Sequence, residues 1–147
     1  KYVIGTCGQG GRGKFMWATD PWGSGDAGGK VAYTRDKVLP YVPTPLYVNG
    51  HLFFWNDDGT VACVNPENGQ DIWAERVGKN YTGSPIAIDG KIYCISEDGQ
   101  VGVVDASPTY KFHGFSPLGD DSYSTPAVAN GRLYLRGFHT LASLKAK

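Results

Sequence analysis

The chain has 147 residues, and its 14 Lys+Arg balance its 14 Asp+Glu, so the formal net charge is zero. That balance argues against a nucleic-acid or anionic-membrane binder, since both lean on excess Lys and Arg, and no apolar run approaches the ~18 residues of a membrane-spanning helix. Aromatics at 13% with charged residues at only 19% argue against disorder, while 21 Gly and 9 Pro predict many tight turns.

The length fits one ordinary domain, and its internal order is set by a repeat. The segment Thr44-Pro45-Leu46-Tyr47-Val48-Asn49-Gly50-His51-Leu52-Phe53 recurs from Ser84 to Tyr93 and again from Thr125 to Tyr134. Pro45, Pro85 and Pro126 lie 40 and then 41 residues apart. Each copy reads as a hairpin. Proline cannot donate a ladder hydrogen bond, so it belongs at a strand start. Asn-Gly or Asp-Gly then supplies the positive φ of a two-residue turn.

In chain order, Tyr2-Val3-Ile4 is predicted as a strand, followed by a widened loop at 5–14, a strand through Ala18-Thr19-Asp20 and a second widened loop at 21–29. Gly29 and Tyr33 fall where Gly69 and Trp73 fall in the next copy. The hairpin at Thr44 leads through Asp58-Gly59 to the strand Val61-Ala62-Cys63-Val64, then through a turn at Asn65–Gly69 to a fourth strand carrying Trp73. The hairpin at Ser84 leads through Asp98-Gly99 to the strand Val101-Gly102-Val103-Val104. The hairpin at Thr125 is followed by a third strand at Leu141-Ala142-Ser143-Leu144.

Four short strands per forty residues, with no sustained helical periodicity, predict an all-β fold of β-propeller blades, each of four antiparallel strands. Residues 1–42 are most of one blade, 44–82 and 84–123 are whole blades, and 125–147 give three strands of a fourth, all in one propeller segment. Four blades at most fall short of a seven- or eight-bladed ring, and each end of the stack leaves a face to cover. The expected partners are therefore missing upstream blades or another chain that closes the ring. Beginning at Lys1, the chain reads as a cut or processed piece, and stopping after a third strand reads as a true C-terminus.

These residues resemble the pyrroloquinoline-quinone-like (PQQ-like) repeat family, whose pattern reads A-x-D-x-x-T-G-x-x-x-W. Gly69 and Trp73 match it, with Cys63, Asn65 and Asn68 in place of its Ala, Asp and Thr. Ala18, Asp20 and Gly29 match across an insertion, with Tyr33 for the Trp. In the third blade Asp105 matches, and strict counting puts His113 at the Trp position, where it is expected to pack as a Trp does. The resemblance is to BamB-like propellers more than to catalytic quinoproteins. It implies that Gly29, Tyr33, Gly69 and Trp73 are structural residues that dock one blade on the next. It also implies a periplasmic or extracellular location. A WD40 propeller has a similar period, but the Trp-Asp signature of that family is not found in the sequence.

Other motifs read as structure. Gly8-Gln9-Gly10-Gly11-Arg12-Gly13-Lys14 fits two phosphate-loop patterns, but Phe15 replaces the Ser or Thr a Walker loop requires, and Pro21 stops the following segment before a helix can form. It reads as a glycine-rich hairpin loop. Asn56-Asp57-Asp58-Gly59 and Glu97-Asp98-Gly99 recur at one blade position and lack calcium-loop spacing, so they read as turns. Asp120-Asp121 reads as a solvated turn between blades, His51 as a solvent-facing residue after its turn, and His139 has no assigned role. Cys7, Cys63 and Cys94 read as buried single thiols, since an odd number without C-x-x-C spacing supports neither a zinc site nor a disulfide framework.

No catalytic, cofactor-binding or metal-binding residues are predicted. The leading functional expectation is a non-catalytic scaffold for protein or ligand binding in the cell envelope, with no cofactor, no nucleic-acid partner and no membrane insertion. One alternative is a fragment of a quinoprotein dehydrogenase, which would require PQQ and Ca²⁺. A second is a carbohydrate-binding or sensor propeller.

Overall fold

The computed structural model describes residues 2–7, 13–22, 25 and 30–145. These form fourteen strands in four antiparallel sheets. The first sheet holds β1 (Val3–Cys7), β2 (Phe15–Thr19) and β3 (Val31–Arg35). The second holds β4 (Leu46–Val48), β5 (His51–Trp55), β6 (Thr60–Val64) and β7 (Asp71–Arg76). The third holds β8 (Ile86–Ile88), β9 (Lys91–Ile95), β10 (Gln100–Asp105) and β11 (Phe112–Pro117). The fourth holds β12 (Ala127–Ala129), β13 (Arg132–Arg136) and β14 (Leu141–Lys145). Within each sheet the strands pair in sequence order, so every sheet is a meander. No α-helix occurs among the described residues.

The turn chemistry follows the repeat. Asn49-Gly50 has φ of 51° and 78°, Asp89-Gly90 47° and 73°, and Asn130-Gly131 51° and 68°. Two successive positive φ values define the turn whose twist matches the flanking strands.

The sheets stack side by side because the middle strands are apolar on both faces. On β5, Leu52 and Phe54 join Met16, Leu39, Ala62 and Val64 in a core between the first and second sheets. Phe53 and Trp55, pointing the other way, join Val61, Cys63, Ile92, Cys94 and Val104 between the second and third. Ile95, Val101 and Leu135 form a smaller core between the third and fourth. An alternating strand buried on both sides needs a neighbour on each. That requirement makes the stack.

Two sequence expectations are corrected. The strand predicted at Tyr2-Val3-Ile4 does not give way to a loop at residue 5. β1 runs to Cys7, with Gly5 opposite Trp17 and Cys7 opposite Phe15. Gly5 lets this happen: a Cβ there would lie 2.3 Å from the Trp17 ring, so the indole lies over bare backbone. The second correction concerns His113. Cys63 faces Trp73 across β6 and β7, but the equivalent Val103 faces Gly114 across β10 and β11. The extra residue of the 41-residue spacing has been absorbed before β11, so strict counting lands one position short. His113 is exposed and pairs with Asp105 instead, Nε2 to Oδ1 at 2.5 Å.

The thiols divide by the same packing. Cys63 and Cys94 are buried, as expected, whereas Cys7 is exposed, against expectation, because it ends the edge strand β1 of the first sheet. Burial raises the Cys63 thiol to a pKa of about 11. It raises Cys94 further, although the backbone N–H of Ile95 works against the shift. Thiolate is the reactive form. Titration of native protein with a thiol reagent at pH 8 should therefore count one reactive cysteine, and all three only after denaturation. Prompt reaction of two or three in the native state would contradict the buried seams.

Candidate functional site

The chemistry-bearing side chains of the described residues lie in two places: the seams between sheets and the rim of loops that links them.

At the first seam, Tyr33 leaves β3 and donates its hydroxyl to the carbonyl of Pro66 in the second sheet at 2.7 Å. Its ring lies against Gly69, where a Cβ would fall 2.6 Å from the ring edge. Gly69 has φ of 73° and donates its N–H to Asn65 at 2.8 Å, closing the turn that presents Pro66. Burial raises the Tyr33 pKa, helped by the neighbouring Tyr2 and Glu67, so the phenol stays a donor. At the second seam, Trp73 on β7 donates its indole N–H to the Ser107 carbonyl at 3.0 Å and meets Tyr110 edge-on at 5.1 Å between ring centroids. Both aromatics therefore anchor the outer strand of one sheet to the next sheet's loop. Gly29 lies outside the described residues.

Sequence reasoning missed three further seam contacts. Arg35 is nearly buried. Its guanidinium binds Asp71 at 2.8 Å and the Gly69 carbonyl at 3.0 Å, and lies 5.6 Å from the Phe54 ring centroid. Near the innermost strands, the Thr44 N–H donates to Ser84 Oγ at 2.9 Å, and the Ser84 N–H donates to Thr125 Oγ1 at 2.9 Å. The signal was legible, since all three copies place Ser or Thr before the strand-starting Pro. The third contact is Asn49, whose side-chain amide donates to the Ala106 carbonyl at 3.1 Å.

On the loop rim, four aspartates are engaged in hydrogen bonds to backbone or side-chain donors. Asp57 accepts from the N–H groups of Tyr41 and Val42 at 2.7 and 3.0 Å, and from the Lys14 ammonium at 3.1 Å. Asp58 accepts from the Thr60 N–H, and Asp98 from the Ser96 hydroxyl. Asp120, expected as a solvated turn residue, instead accepts from the N–H groups of His139 and Thr140 at 2.6 and 2.8 Å. It ties the connection after the third sheet to the hairpin of the fourth, which also gives His139 its place. His51 donates from Nδ1 to the Asn49 carbonyl, 2.8 Å away, just after its turn. Of the glycine cluster, Gly13 and Lys14 are described and lead into a strand, not a helix; Gly8, Gln9, Gly10, Gly11 and Arg12 lie outside the described residues. No group of three or more His, Cys, Asp or Glu residues suited to a metal ion occurs among the described residues.

The same rim carries exposed aromatics. Tyr123 and Phe138 are 54% and 55% exposed and meet edge-on at 5.2 Å. Tyr41 and Val42 are also exposed.

Asp57 makes stability depend on pH. Burial works to raise its pKa, but the Tyr41 and Val42 N–H groups and Lys14 outweigh it, so the folded carboxyl titrates below its ordinary value. A depressed carboxyl contributes stability above the unfolded pKa of about 3.9, and this is lost as pH falls through the lower folded value. Denaturation followed from pH 6 to pH 2 should show a smaller acid loss for Asp57→Asn than for the parent. An identical acid loss would contradict this role.

Four meander sheets stacked face to face, locked by an outer-strand aromatic and an inner Ser/Thr bond, define part of a β-propeller built of PQQ-like repeats. The family described as outer membrane protein assembly factor BamB matches residues 12–109, two thirds of the chain, and the chain belongs to that family. A search of curated proteins found no match. Among solved structures, BamB from Moraxella catarrhalis is similar at 19% identity with a TM-score of 0.64, over 90% of this chain and 38% of that one. A europium-containing methanol dehydrogenase is similar at 18% identity and a TM-score of 0.59, over 78% of this chain and 22% of that one. The computationally designed Ika4 protein is similar at 13% identity and a TM-score of 0.66, over 90% of this chain and 80% of that one. The chain thus spans well under half the length of the two natural propellers.

Proposed function

We propose that this chain is part of a non-catalytic propeller scaffold of the cell envelope whose loop rim binds a protein partner. One observation carries the reading. The rim's carboxylates at Asp57, Asp58, Asp98 and Asp120 are taken up by turns and blade-to-blade bonds, while its aromatics at Tyr123 and Phe138 are left toward solvent. Aromatic side chains offer large, low-entropy contact area and are enriched in protein interfaces. Membership of the BamB family supports the envelope location.

The likeness to a methanol dehydrogenase raises the question of a quinone and Ca²⁺ site. The innermost strands read Leu-Tyr-Val, Ile-Ala-Ile and Ala-Val-Ala. They offer no carboxylate, and hard cations need oxygen ligands in number. These residues do not fit the group, and no catalytic step is derived through it. The outer face of the first sheet carries the stacked pair Phe15 and Trp17, with Phe15 and Val3 exposed. Further blades or another chain would cover it.

The test is site-specific photo-cross-linking in cells that express the full protein, with the reactive group at Phe138 or, as a control, at Ile72 on the outer strand. A discrete protein adduct from Phe138 alone is expected, together with no thermal shift on adding PQQ and Ca²⁺. A thermal shift with the quinone, or adducts that do not depend on position, would overturn the reading.

A further inference from the structure

The hairpin turns after β5 and β9 are built alike, and one side chain breaks the likeness. Asn56 and Ser96 hold the same place, donating their N–H groups across the turn to the carbonyls of Thr60 and Gln100. Ser96 is satisfied inside its own turn: its hydroxyl donates to Asp98 and accepts from the Gln100 N–H at 3.0 Å. In the second sheet the matching Thr60 N–H goes to Asp58 instead, at 2.9 Å. Asn56 is 5% exposed, and its Oδ1 is left without a donor among the described residues. Buried polar atoms in native folds are almost always paired, so this oxygen calls for a partner.

Asn56 lines a cleft of about 330 Å³ on the loop rim, together with Lys14, Asp36, Asp57, Asp58 and Thr60. Asp57 is fully engaged there by Lys14 and by the Tyr41 and Val42 N–H groups. The Asp36 carboxylate makes no bond among the described residues, and Asp58 uses only Oδ1 on its turn. The cleft thus seats one ammonium, Lys14, and keeps an amide oxygen and two carboxylates as uncommitted acceptors. These carboxylates do not gather into a group suited to a metal ion. A guanidinium suits them better, because its planar fork of N–H donors reaches separated acceptors that a compact charge does not. Tyr41 and Val42, exposed and held on Asp57, offer apolar area to the stem of such a side chain.

We infer that this cleft is a socket for an arginine side chain presented by the protein partner. The guanidinium donates to Asn56 Oδ1 and pairs with Asp36 and Asp58, while Lys14 stays on Asp57. The inference rests on the partner-binding reading of the rim and names the chemistry that the partner brings to it.

The probe is N-acetyl-arginine amide, titrated into the isotope-labelled whole chain and followed by NMR, with N-acetyl-citrulline amide as the uncharged analogue of similar shape. The arginine probe should shift the Asn56 side-chain amide and the Asp58 and Thr60 backbone amides saturably, with a Kd in the millimolar range, and the citrulline probe should not. Asp36→Asn combined with Asp58→Asn should weaken binding about fivefold or more. Asn56→Ser, which restores the self-satisfied turn of the third sheet, should weaken it as well. Equal shifts with citrulline, or an arginine response that neither variant weakens, overturns the socket. No saturable response to arginine while the Phe138 adduct still forms overturns the socket alone, with Asn56 Oδ1 then served by a trapped water. No response and no adduct overturns the partner-binding reading of the rim as well.

Discussion

Replacing Trp73 by Ala should destabilise the protein by about 3 kcal/mol, the low end for loss of a large aromatic because the ring is half-buried. The indole fills the seam between Phe53 of its own sheet and Tyr110 of the next. Its N–H also supplies the bond to the Ser107 carbonyl. These two contributions separate experimentally. Trp73→Phe keeps most of the ring contact and loses the donor, which costs about 1 kcal/mol. Urea denaturation of the two variants gives both numbers. A cost below about 1 kcal/mol for the Ala variant would mean that the aromatic does not anchor the seam.

The second large effect is expected at Gly99. Its φ is 73°, and a Cβ there would come within 2.1 Å of the Asp120 backbone oxygen. Alanine thus meets both left-handed strain and a carbonyl that cannot swing away as a side chain would. The segment it would push also carries the Asp120 carboxylate, which holds the fourth sheet's hairpin. Gly99→Ala should cost about 2–4 kcal/mol. Gly90 provides the internal comparison, because it has the same φ of 73° and a Cβ there would meet nothing within 4 Å. Gly90→Ala should cost only about 1 kcal/mol. Equal costs at the two positions would show that the connection is not packed against the turn.

The contrast between these glycines marks how much was legible in the sequence. Asn-Gly and Asp-Gly turns declare themselves, because positive φ is a local demand met by few residues. The unbroken apolar runs of β5 and β9 likewise declare strands buried on two sides, and a forty-residue period then makes sheets that must stack. Local chemistry does not report which glycine lies under a neighbour's backbone. Gly59 and Gly99 look like Gly90 until the connection that follows their sheet's outer strand is in place, and Gly69 until Tyr33 of the adjoining sheet is.

The same limit explains His113. Counting residues assumes that each blade absorbs insertions at the same point. The third blade takes its extra residue before β11, which moves Gly114 to the position facing Val103 and turns His113 outward to Asp105. Asp120 departs from its expected role for a related reason. A carboxylate in a connection looks solvated in isolation, and only the fourth sheet brings the His139 and Thr140 N–H groups to it. The repeat spacing singles out Tyr33 and Trp73, but their acceptors, Pro66 and Ser107, lie in the neighbouring sheets.

The stacking of adjacent sheets is tested most directly by NMR of the Trp73 indole proton. It should exchange slowly with solvent and show nuclear Overhauser contacts to the Tyr110 ring and to Ser107, both in the next sheet. An indole proton that exchanges freely and shows contacts only within its own sheet would contradict the account.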